Sequence, residues 1–298
     1  MAKKWFLAIR PWSFTAAIVP VTLGSIIAAY HSSFNWILFI LLLIGGVLIQ
    51  AGTNLANTYG DYISGVDTAA STTVSCRELV DNVIKPKHMF IASLLVFSIV
   101  ASIGLYFVYL RGMVILCLGI IGIVGGYTYT LGPSPYKYKG LGSILVFFLM
   151  GPLMSFGSYY VQTGVSDWTS IWVAVPIAFL VSGILHSNDL RDMYHDKNAG
   201  ITTLALILGK DRSFRLYHLI NWSAFISVII LVATNILPIL GALPLLLLPK
   251  LIKIMKNTQA AWQGNKQILS LLELQAGQFH FMFGLVLIAG LTLNLLLI

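Results

Sequence analysis

The sequence contains very little charge. Charged residues make up 9% of the 298 residues, with ten Asp and Glu against 18 Lys and Arg. Soluble domains carry about 25% charged residues, so this composition excludes a soluble globular enzyme. Cysteine is also scarce, with two residues, and Cys and His do not occur at the spacing of zinc ligands, which disfavours a zinc site.

The sequence is instead rich in long apolar stretches. A membrane-spanning helix needs roughly 20 mostly apolar residues, and the chain contains nine such stretches, at approximately 14–30, 36–56, 88–109, 112–131, 142–162, 168–187, 214–234, 236–255 and 277–298. The remaining residues are too few for a separate soluble domain. We therefore predict one all-α domain over 1–298, a polytopic membrane bundle of about nine transmembrane helices.

The basic residues predict the orientation of this bundle. If the N-terminus is cytoplasmic, 17 of the 18 Lys and Arg residues fall on that side, with Arg111 as the exception. This is the distribution that the positive-inside rule requires, and it accounts for the net charge of +8 without nucleic acid. We predict an integral multi-pass protein of a prokaryotic inner membrane, with the N-terminus and the active site cytoplasmic. The basic segment 250–276 is typical of a stretch that contacts anionic lipid.

Half of the ten carboxylates lie in two short segments at cytoplasmic ends of predicted spans. Asp61 and Asp67 follow the second span, and Asp189, Asp192 and Asp196 follow the sixth. Carboxylates beside a bilayer are costly unless they are paired, hydrated or bound to metal. The two clusters therefore indicate function rather than solvated helix ends.

The spacing in the first cluster is helical. Asn54, Asn57 and Asp61 follow the pattern i, i+3, i+7, which places their oxygens on one helix face. Glycines at 60 and 65 would let the helix end and the chain turn, so that the second aspartate returns toward that row.

The second cluster repeats the pattern with Asp189, Asp192 and Asp196, and Asn188 stands beside them. Two rows of hard oxygen ligands suit Mg²⁺, which is held by one or two carboxylates together with substrate phosphate. His186 flanks this cluster as a helix-end histidine or as a site residue.

Basic residues lie near the same membrane face: Arg10, Arg77, Lys137, Lys139, Arg191 and Lys197. Each either follows from membrane topology or binds diphosphate oxygens that the metal leaves uncompensated. Acids, metal and bases together describe a diphosphate site, and a site among apolar helices favours a polyprenyl diphosphate. Tyrosines on the fourth and fifth spans would either line such a cavity or pack at the membrane interface: Tyr127, Tyr129, Tyr159 and Tyr160.

Five segments carry a resemblance to a known family: RPWSFTAAIVPVTLG, NLANTYGDYISGVDT, GGYTYTLGPSPYKYKGLG, GPLMSFGSYYVQTG and NDLRDMYHDKNAGITTLA. The chain resembles the UbiA superfamily of intramembrane aromatic prenyltransferases, and the last segment is similar to its 1,4-dihydroxy-2-naphthoate branch. The resemblance implies nine helices around a central cavity, with four-helix repeats at about 11–131 and 142–255 and a final helix at about 277–298.

The resemblance also implies roles for individual residues. Metal binding and catalysis would use Asp61, Asp67, Asp192 and Asp196, with Mg²⁺ as cofactor. By the resemblance, substrate binding would use Asn57, Arg77, Asn188, Arg191 and Lys197. Their positions alone add Lys137, Lys139, Tyr127 and Tyr129 as candidate substrate-binding residues. The partners would be a polyprenyl diphosphate, a small aromatic acceptor and membrane lipid. In this family the prenyl chain replaces the ring carboxylate of the naphthoate, with release of diphosphate and CO₂.

Three positions depart from the family pattern. Thr58 stands where an acid is usual, and Ile63 and Ile201 replace residues that are often basic. Other acceptors therefore stay open, namely 4-hydroxybenzoate, homogentisate or a glycerol phosphate lipid. Two other classes also join acids to membrane helices, a cation or solute transporter and a phospholipid head-group transferase, but transporters place such sites near the bilayer midplane.

Overall fold

The computed structural model describes residues 2–68 and 77–298. It is 82% helical, and no strand occurs in the described ranges. The α-helices are α1 (Ala2–Ala8), α2 (Thr15–Tyr30), α3 (Trp36–Ile63), α4 (Arg77–Val80), α5 (Pro86–Arg111), α6 (Met113–Thr128), α7 (Gly142–Phe148), α8 (Met154–Thr163), α9 (Thr169–Asn198), α10 (Leu204–Leu208), α11 (Lys210–Ala233), α12 (Leu248–Trp262) and α13 (Lys266–Leu297). Short 3₁₀ helices cover Pro11–Ser13 and Ile239–Leu247, and a π-helical turn at Leu149–Leu153 joins α7 to α8.

Six helical segments of the described chain are long and apolar enough to cross a membrane: α3, α5, the combined α7–α8 segment, α9, α11 and α13. A seventh is present if α2 and the segment Lys3–Ser13, which meet at 50°, form one span. These segments confirm a helical, multi-pass membrane protein. The predicted total of nine stays a prediction, since α6 has only 16 residues.

Prolines explain the largest difference from the predicted spans. Where the sequence predicted one span over 236–255, a 3₁₀ helix at Ile239–Leu247 is followed by α12. Pro244 lies inside the 3₁₀ helix, and Pro249 lies in the first turn of α12. Proline has no N–H and clashes with the preceding turn, so one continuous α-helix does not form here.

Two long helices carry the aspartate clusters. Helix α3 has 28 residues and α9 has 30, so at a rise of about 1.5 Å per residue they are about 42 and 45 Å long. A hydrocarbon core is only about 30 Å thick. Both helices continue past the ends that the sequence predicted at 56 and 187. Because they are longer than the apolar layer is thick, either their polar last turns extend beyond it or the helices are tilted.

Helix α9 lies at the centre of the bundle. In its apolar part 61% of the residues are buried, compared with 17% in α5. The largest core cluster packs α9 against α2, α11 and α13 through side chains such as Ile177, Leu23, Tyr217 and Phe283. This core joins helices of both predicted repeats, and the repeats themselves stay a prediction.

Candidate active site

The first cluster is built around the Asp61 carboxylate at the end of α3. Asn57 and Asp61 are each 5% exposed, and the Asn57 amide donates to Asp61 Oδ2 at 2.8 Å. Lys137 Nζ donates to both carboxylate oxygens at 2.7 and 2.8 Å, and the Tyr138 hydroxyl donates to Oδ1 at 2.7 Å. The carboxylate therefore has the counter-charge and the hydrogen bonds that a buried anion needs.

A glycine lets the loop 129–141 approach α3. A Cβ added at Gly60 would lie 2.8 Å from the carbonyl oxygen of Thr130 and 2.9 Å from its Cβ. The sequence predicted that Gly60 and Gly65 together let the helix end and the chain turn. Helix α3 continues through Gly60 and ends at Ile63, between the two glycines. Gly60 instead removes the side chain that would keep this loop, and Lys137 with it, away from Asp61.

Gly60→Ala is therefore expected to destabilise the protein by roughly 1–3 kcal/mol, the usual cost of overpacking, and to lower activity. The measurement is the thermal unfolding midpoint of the detergent-solubilised protein. Gly104→Ala on α5 is the matched control, since a Cβ there meets no atom within 4 Å. Equal midpoints for the two variants would contradict the tight approach at Gly60.

The chain turns back after α3. The backbone N–H groups of Val66 and Asp67 donate to the carbonyl oxygen of Asp61 at 2.9 and 3.1 Å. Gly65 has φ of 72°, which glycine adopts without strain. The turn at Gly65 thus forms as the sequence predicted and brings Asp67 next to the first row.

The pKa of Asp67 is raised to about 6, first by burial and then by the charge of Asp61. Lys137 and Arg10 oppose this shift, whereas Asp192 adds to it. Since Asp192 belongs to the second cluster, the two clusters lie within electrostatic range of each other. Asp67 Oδ2 is buried and has no hydrogen-bond partner among the described residues, so this oxygen is available to a cation.

This pKa predicts a pH-dependent stability for the metal-free protein. Folded Asp67, with a pKa of about 6, binds its proton more tightly than the unfolded chain, where the value is 3.8. Its contribution favours folding at low pH and is lost as the pH rises from about 4 through about 6. Asp67→Asn is expected to remove this part of the slope of unfolding free energy against pH, measured with EDTA. Parallel slopes for both proteins would contradict it.

Lys137 lies between the two clusters. Its side chain is 10% exposed, and the ammonium lies 5.7 and 5.8 Å from the ring centroids of Tyr129 and Tyr138. Burial lowers the pKa of Lys137, but the charge of Asp61, followed by Tyr138, the hydrogen bond to Asp61 and the charge of Asp196, outweighs burial and holds the pKa above its usual value. One acid from α3 and one from α9 thus act on the same ammonium.

The second cluster occupies the last turns of α9. The Arg191 guanidinium donates to both oxygens of Asp192, at 2.9 Å from Nε and 2.6 Å from Nη2. It also donates to the side chains of Asn188 and of Glu273 on α13. Asp189 is buried in the same region. Asp192, like Asp61, is therefore paired with a cation of the chain itself.

Sequence reasoning missed Glu273. We had assigned this region to a basic interfacial stretch, yet Glu273 is the only carboxylate after Asp211. A single acid in an apolar helix indicates function, and this signal was present in the sequence. Tyr138 was missed as well, because its spacing relative to Asp61 says nothing about their contact.

The loop 129–141 also contacts the segment that follows α9. The backbone of Lys139 pairs with Thr202 in an isolated parallel bridge. At Gly140, with φ of 73°, a Cβ would lie 2.4 Å from Ile207 Cδ1. The loop is thus packed against α3 at one point and against the chain behind α9 at another, which holds Lys137 between the clusters.

The side chains of four predicted substrate-binding residues lie outside these contacts. Arg77 forms an ion pair with Asp81 at 2.8 Å, while Lys139 and Lys197 are exposed. Tyr127 packs against an apolar cluster beside α3. Their substrate-binding roles stay predictions, as do the metal-binding roles of the aspartates.

Two of the three positions that depart from the family pattern take part in defined contacts. Thr58 Oγ1 accepts a hydrogen bond from Arg10 at 3.1 Å, so a neutral group stands where an acid is usual. Ile63 is 55% exposed, and the Ile201 N–H donates to the Asp196 carbonyl oxygen at 3.2 Å. Arg10 contributes a positive charge next to Asp67.

The oxygen donors of the two clusters fit Mg²⁺. Carboxylate and amide oxygens are the ligands that this ion prefers, and Asp67 Oδ2 is buried without a partner among the described residues. Within residues 2–68 and 77–298, no group of three or more Asp, Glu, His or Cys side chains is arranged to hold a metal. Asp61 and Asp192 each form an ion pair with a cation of the chain.

A cleft with a volume of about 340 Å³ opens between α11 and α12, lined by Asp211, Phe214, Arg215, His218, Gln259 and Trp262. None of these residues belongs to either cluster, so this cleft is not the predicted central cavity. That cavity stays a prediction.

Comparison with known proteins identifies relatives along most of the chain. The model of the UbiA prenyltransferase family matches residues 17–271. UbiA prenyltransferase domain-containing protein 1 of Danio rerio is 34% identical over 249 residues, 82% of this chain and 72% of that protein. The 1,4-dihydroxy-2-naphthoate octaprenyltransferase of Bacillus subtilis (strain 168) is 34% identical over 226 residues, 76% of this chain and 72% of that protein. Relatives thus occur in animals and in a bacterium, and the prokaryotic membrane stays a prediction.

Solved structures show the same fold. A UbiA homologue from Aeropyrum pernix K1 matches with a TM-score of 0.68 at 15% identity, over 96% of this chain and 98% of that one. A UbiA homologue from Archaeoglobus fulgidus bound to GPP and Mg²⁺ matches with a TM-score of 0.63 at 15% identity, over 96% and 99%. At this identity the likeness establishes the fold alone.

Proposed function

The chain belongs to the UbiA prenyltransferase family, and from this premise we propose that it transfers a polyprenyl group from polyprenyl diphosphate to 1,4-dihydroxy-2-naphthoate, with Mg²⁺ as cofactor. Family membership decides for an enzyme and against a transporter. The observation that supports the site most strongly is that Lys137 Nζ donates to both oxygens of the buried Asp61 carboxylate, at 2.7 and 2.8 Å, beside the Asn57 amide. A carboxylate that can bind a metal and a cation that can bind diphosphate oxygens therefore lie next to each other, as binding of a metal–diphosphate requires.

The four aspartates of the clusters, Asp61, Asp67, Asp192 and Asp196, would hold Mg²⁺, with Asn57 and Asn188 beside them. Bound Mg²⁺ supplies positive charge that stabilises the departing diphosphate. The same role is supported by a neighbouring structure that holds GPP and Mg²⁺. The acids of this chain need cations in any state, because buried carboxylates without a counter-charge are costly.

Lys137 and Arg191 provide that counter-charge in the absence of ligand, through the pairs with Asp61 and Asp192. In the substrate complex these two cations face the diphosphate oxygens, where Arg offers a planar fork and Lys a point charge. Their present partners keep both side chains in place, so little reorganisation is needed when the substrate binds.

The transfer itself balances without a separate base. The allylic C–O bond breaks, and the diphosphate leaves with the electron pair. The ring carbon that carries the carboxylate forms the new C–C bond, the carboxylate leaves as CO₂, and its bonding electrons return to the ring. Tyr129 and Tyr138, whose rings lie beside the Lys137 ammonium, offer π faces to an allylic cation, and the apolar helices exclude water.

A second acceptor class is favoured by the neutral contact at Thr58, where the family usually has an acid. Many of the similar relatives bear a name that specifies no acceptor. The alternative acceptors are 4-hydroxybenzoate, homogentisate and a glycerol phosphate lipid.

The test is an acceptor panel with the purified protein and a polyprenyl diphosphate, with Mg²⁺ or with EDTA. We expect prenylated naphthoate, CO₂ and diphosphate only when Mg²⁺ is present. If another acceptor is prenylated and no prenylated naphthoate forms, the naphthoate is not the acceptor and the other compound takes its place in the proposal. Absence of diphosphate release with every acceptor would overturn the proposed function.

A further inference from the structure

Arg191 is shared by two carboxylates from different helices. Asp192 comes from its own helix α9, and Glu273 comes from α13. The side chain of Arg191 is 14% exposed, compared with 26% for Asp192 and 30% for Glu273. The three side chains together carry a net charge of −1, whereas a pair of Arg191 and Asp192 alone would be neutral.

We propose that Glu273 is a positioning residue of the second cluster: it holds Arg191 from α13, so that Asp192 can exchange Arg191 for a metal–diphosphate while Arg191 stays in the site. The inference rests on the proposed function. Glu273 lies outside both aspartate clusters, and no contact with substrate is assigned to it.

Electrostatics requires such a partner. If Asp192 binds a metal, its pair with Arg191 is weakened, and a largely buried guanidinium without an anion is strongly unfavourable. Glu273 contacts Nη1 of Arg191 in the metal-free protein, so a carboxylate would remain there during this exchange. Because Arg191 also pairs with Glu273, its positive charge compensates the charge of Asp192 only in part. The Asp192 carboxylate therefore attracts a divalent cation more strongly.

The packing of α13 makes Glu273 a fixed anchor. Its neighbours Leu272 and Ala276 are 0% and 6% exposed, and α13 packs closely along α9 in the main core. The first cluster differs, because its cation Lys137 comes from a loop that is itself held at Gly60 and Gly140. In the second cluster Arg191 and Asp192 are neighbours in the sequence of α9. A contact that holds Arg191 independently of Asp192 must therefore come from another helix, and Glu273 on α13 provides it.

The decisive variant is Glu273→Gln, which keeps the shape and removes the charge. Binding of geranyl S-thiolodiphosphate, a non-reacting analogue, is measured at equilibrium against Mg²⁺ concentration in detergent. We expect the Mg²⁺ midpoint to rise by about tenfold or more, as is usual when a partner of a metal ligand is lost. Glu273→Asp, which retains the charge, is expected to recover part of this loss.

Asp211→Asn is the matched control, because it removes one acid at the same membrane face. Asp211 accepts a hydrogen bond from the Trp262 indole at 2.8 Å and does not contact Arg191. Its Mg²⁺ midpoint is expected to equal that of the wild type. A merely structural role of Glu273 would lower the ligand-free unfolding midpoint and leave the Mg²⁺ midpoint unchanged.

A double-variant cycle tests whether Glu273 acts through Arg191. In an Arg191→Gln background, Glu273→Gln is expected to add no further change in the Mg²⁺ midpoint, since coupled residues are non-additive. Equal midpoints for wild type and Glu273→Gln, or full additivity in the cycle, would overturn the inference. If the wild type itself does not bind the analogue with Mg²⁺, the proposed function fails instead, so the two failures are distinguishable.

Discussion

Asp192→Asn is expected to lower the rate of diphosphate release by at least about 100-fold. Loss of a residue that only supports a metal ligand costs up to about 100-fold, and Asp192 is proposed as a ligand itself. The amide keeps one oxygen but loses the negative charge that a divalent cation needs. The fold is expected to survive, because Arg191 still has Glu273 and Asn188 as partners. The measurement is single-turnover diphosphate release at saturating Mg²⁺, together with the thermal unfolding midpoint.

Asp211→Asn again provides the control for this loss of one negative charge, and its rate is expected to match that of the wild type. A rate within a few-fold of wild type for Asp192→Asn would show that this carboxylate does not serve the reaction. A large fall in both the rate and the unfolding midpoint would instead indicate a structural role.

Lys137→Met is expected to destabilise the protein by about 3–5 kcal/mol, the cost of leaving a buried ion-pair partner without its counter-charge. Asp61 is 5% exposed, and Lys137 is its cation at 2.7 Å. Prenyl transfer is expected to be lost as well, because the variant removes the cation between the two clusters. Unfolding in detergent, followed by circular dichroism, measures the first effect, and product formation measures the second.

Lys139→Met, two residues away, is the matched control for the unfolding measurement, since Lys139 is exposed and its ammonium donates to Ser134. Adding Asp61→Asn to Lys137→Met is expected to recover much of the stability but none of the activity, because the unpaired charge is then removed. If Lys137→Met and Lys139→Met unfold at the same midpoint, the Asp61 pair does not stabilise the fold.

The periodicity of the polar residues predicted the local structure of both clusters. Asn57 and Asp61 do lie on one helix, as do Asp192 and Asp196, because a spacing of three and four residues follows the helical repeat. The apolar runs likewise predicted helical spans. They failed at 236–255, where hydropathy is high but Pro244 and Pro249 interrupt the backbone hydrogen bonds.

Individual side-chain partners were much less predictable. Lys137 was one of six basic residues near the same face, and the sequence offered no reason to pair it with Asp61 rather than with another acid. Its contact depends on the close approach at Gly60. The pairing of Arg191 with Glu273 depends on how α13 packs on α9.

The sequence alone determined that this chain is a helical membrane protein with two rows of acids, because hydrophobic length and helical repeat are properties of short segments. The tertiary structure decided which cation faces which acid: Lys137 pairs with Asp61, and Arg191 pairs with Asp192 and Glu273. Electrostatic partners are set by distances between segments that lie far apart in the chain, and those distances follow from packing.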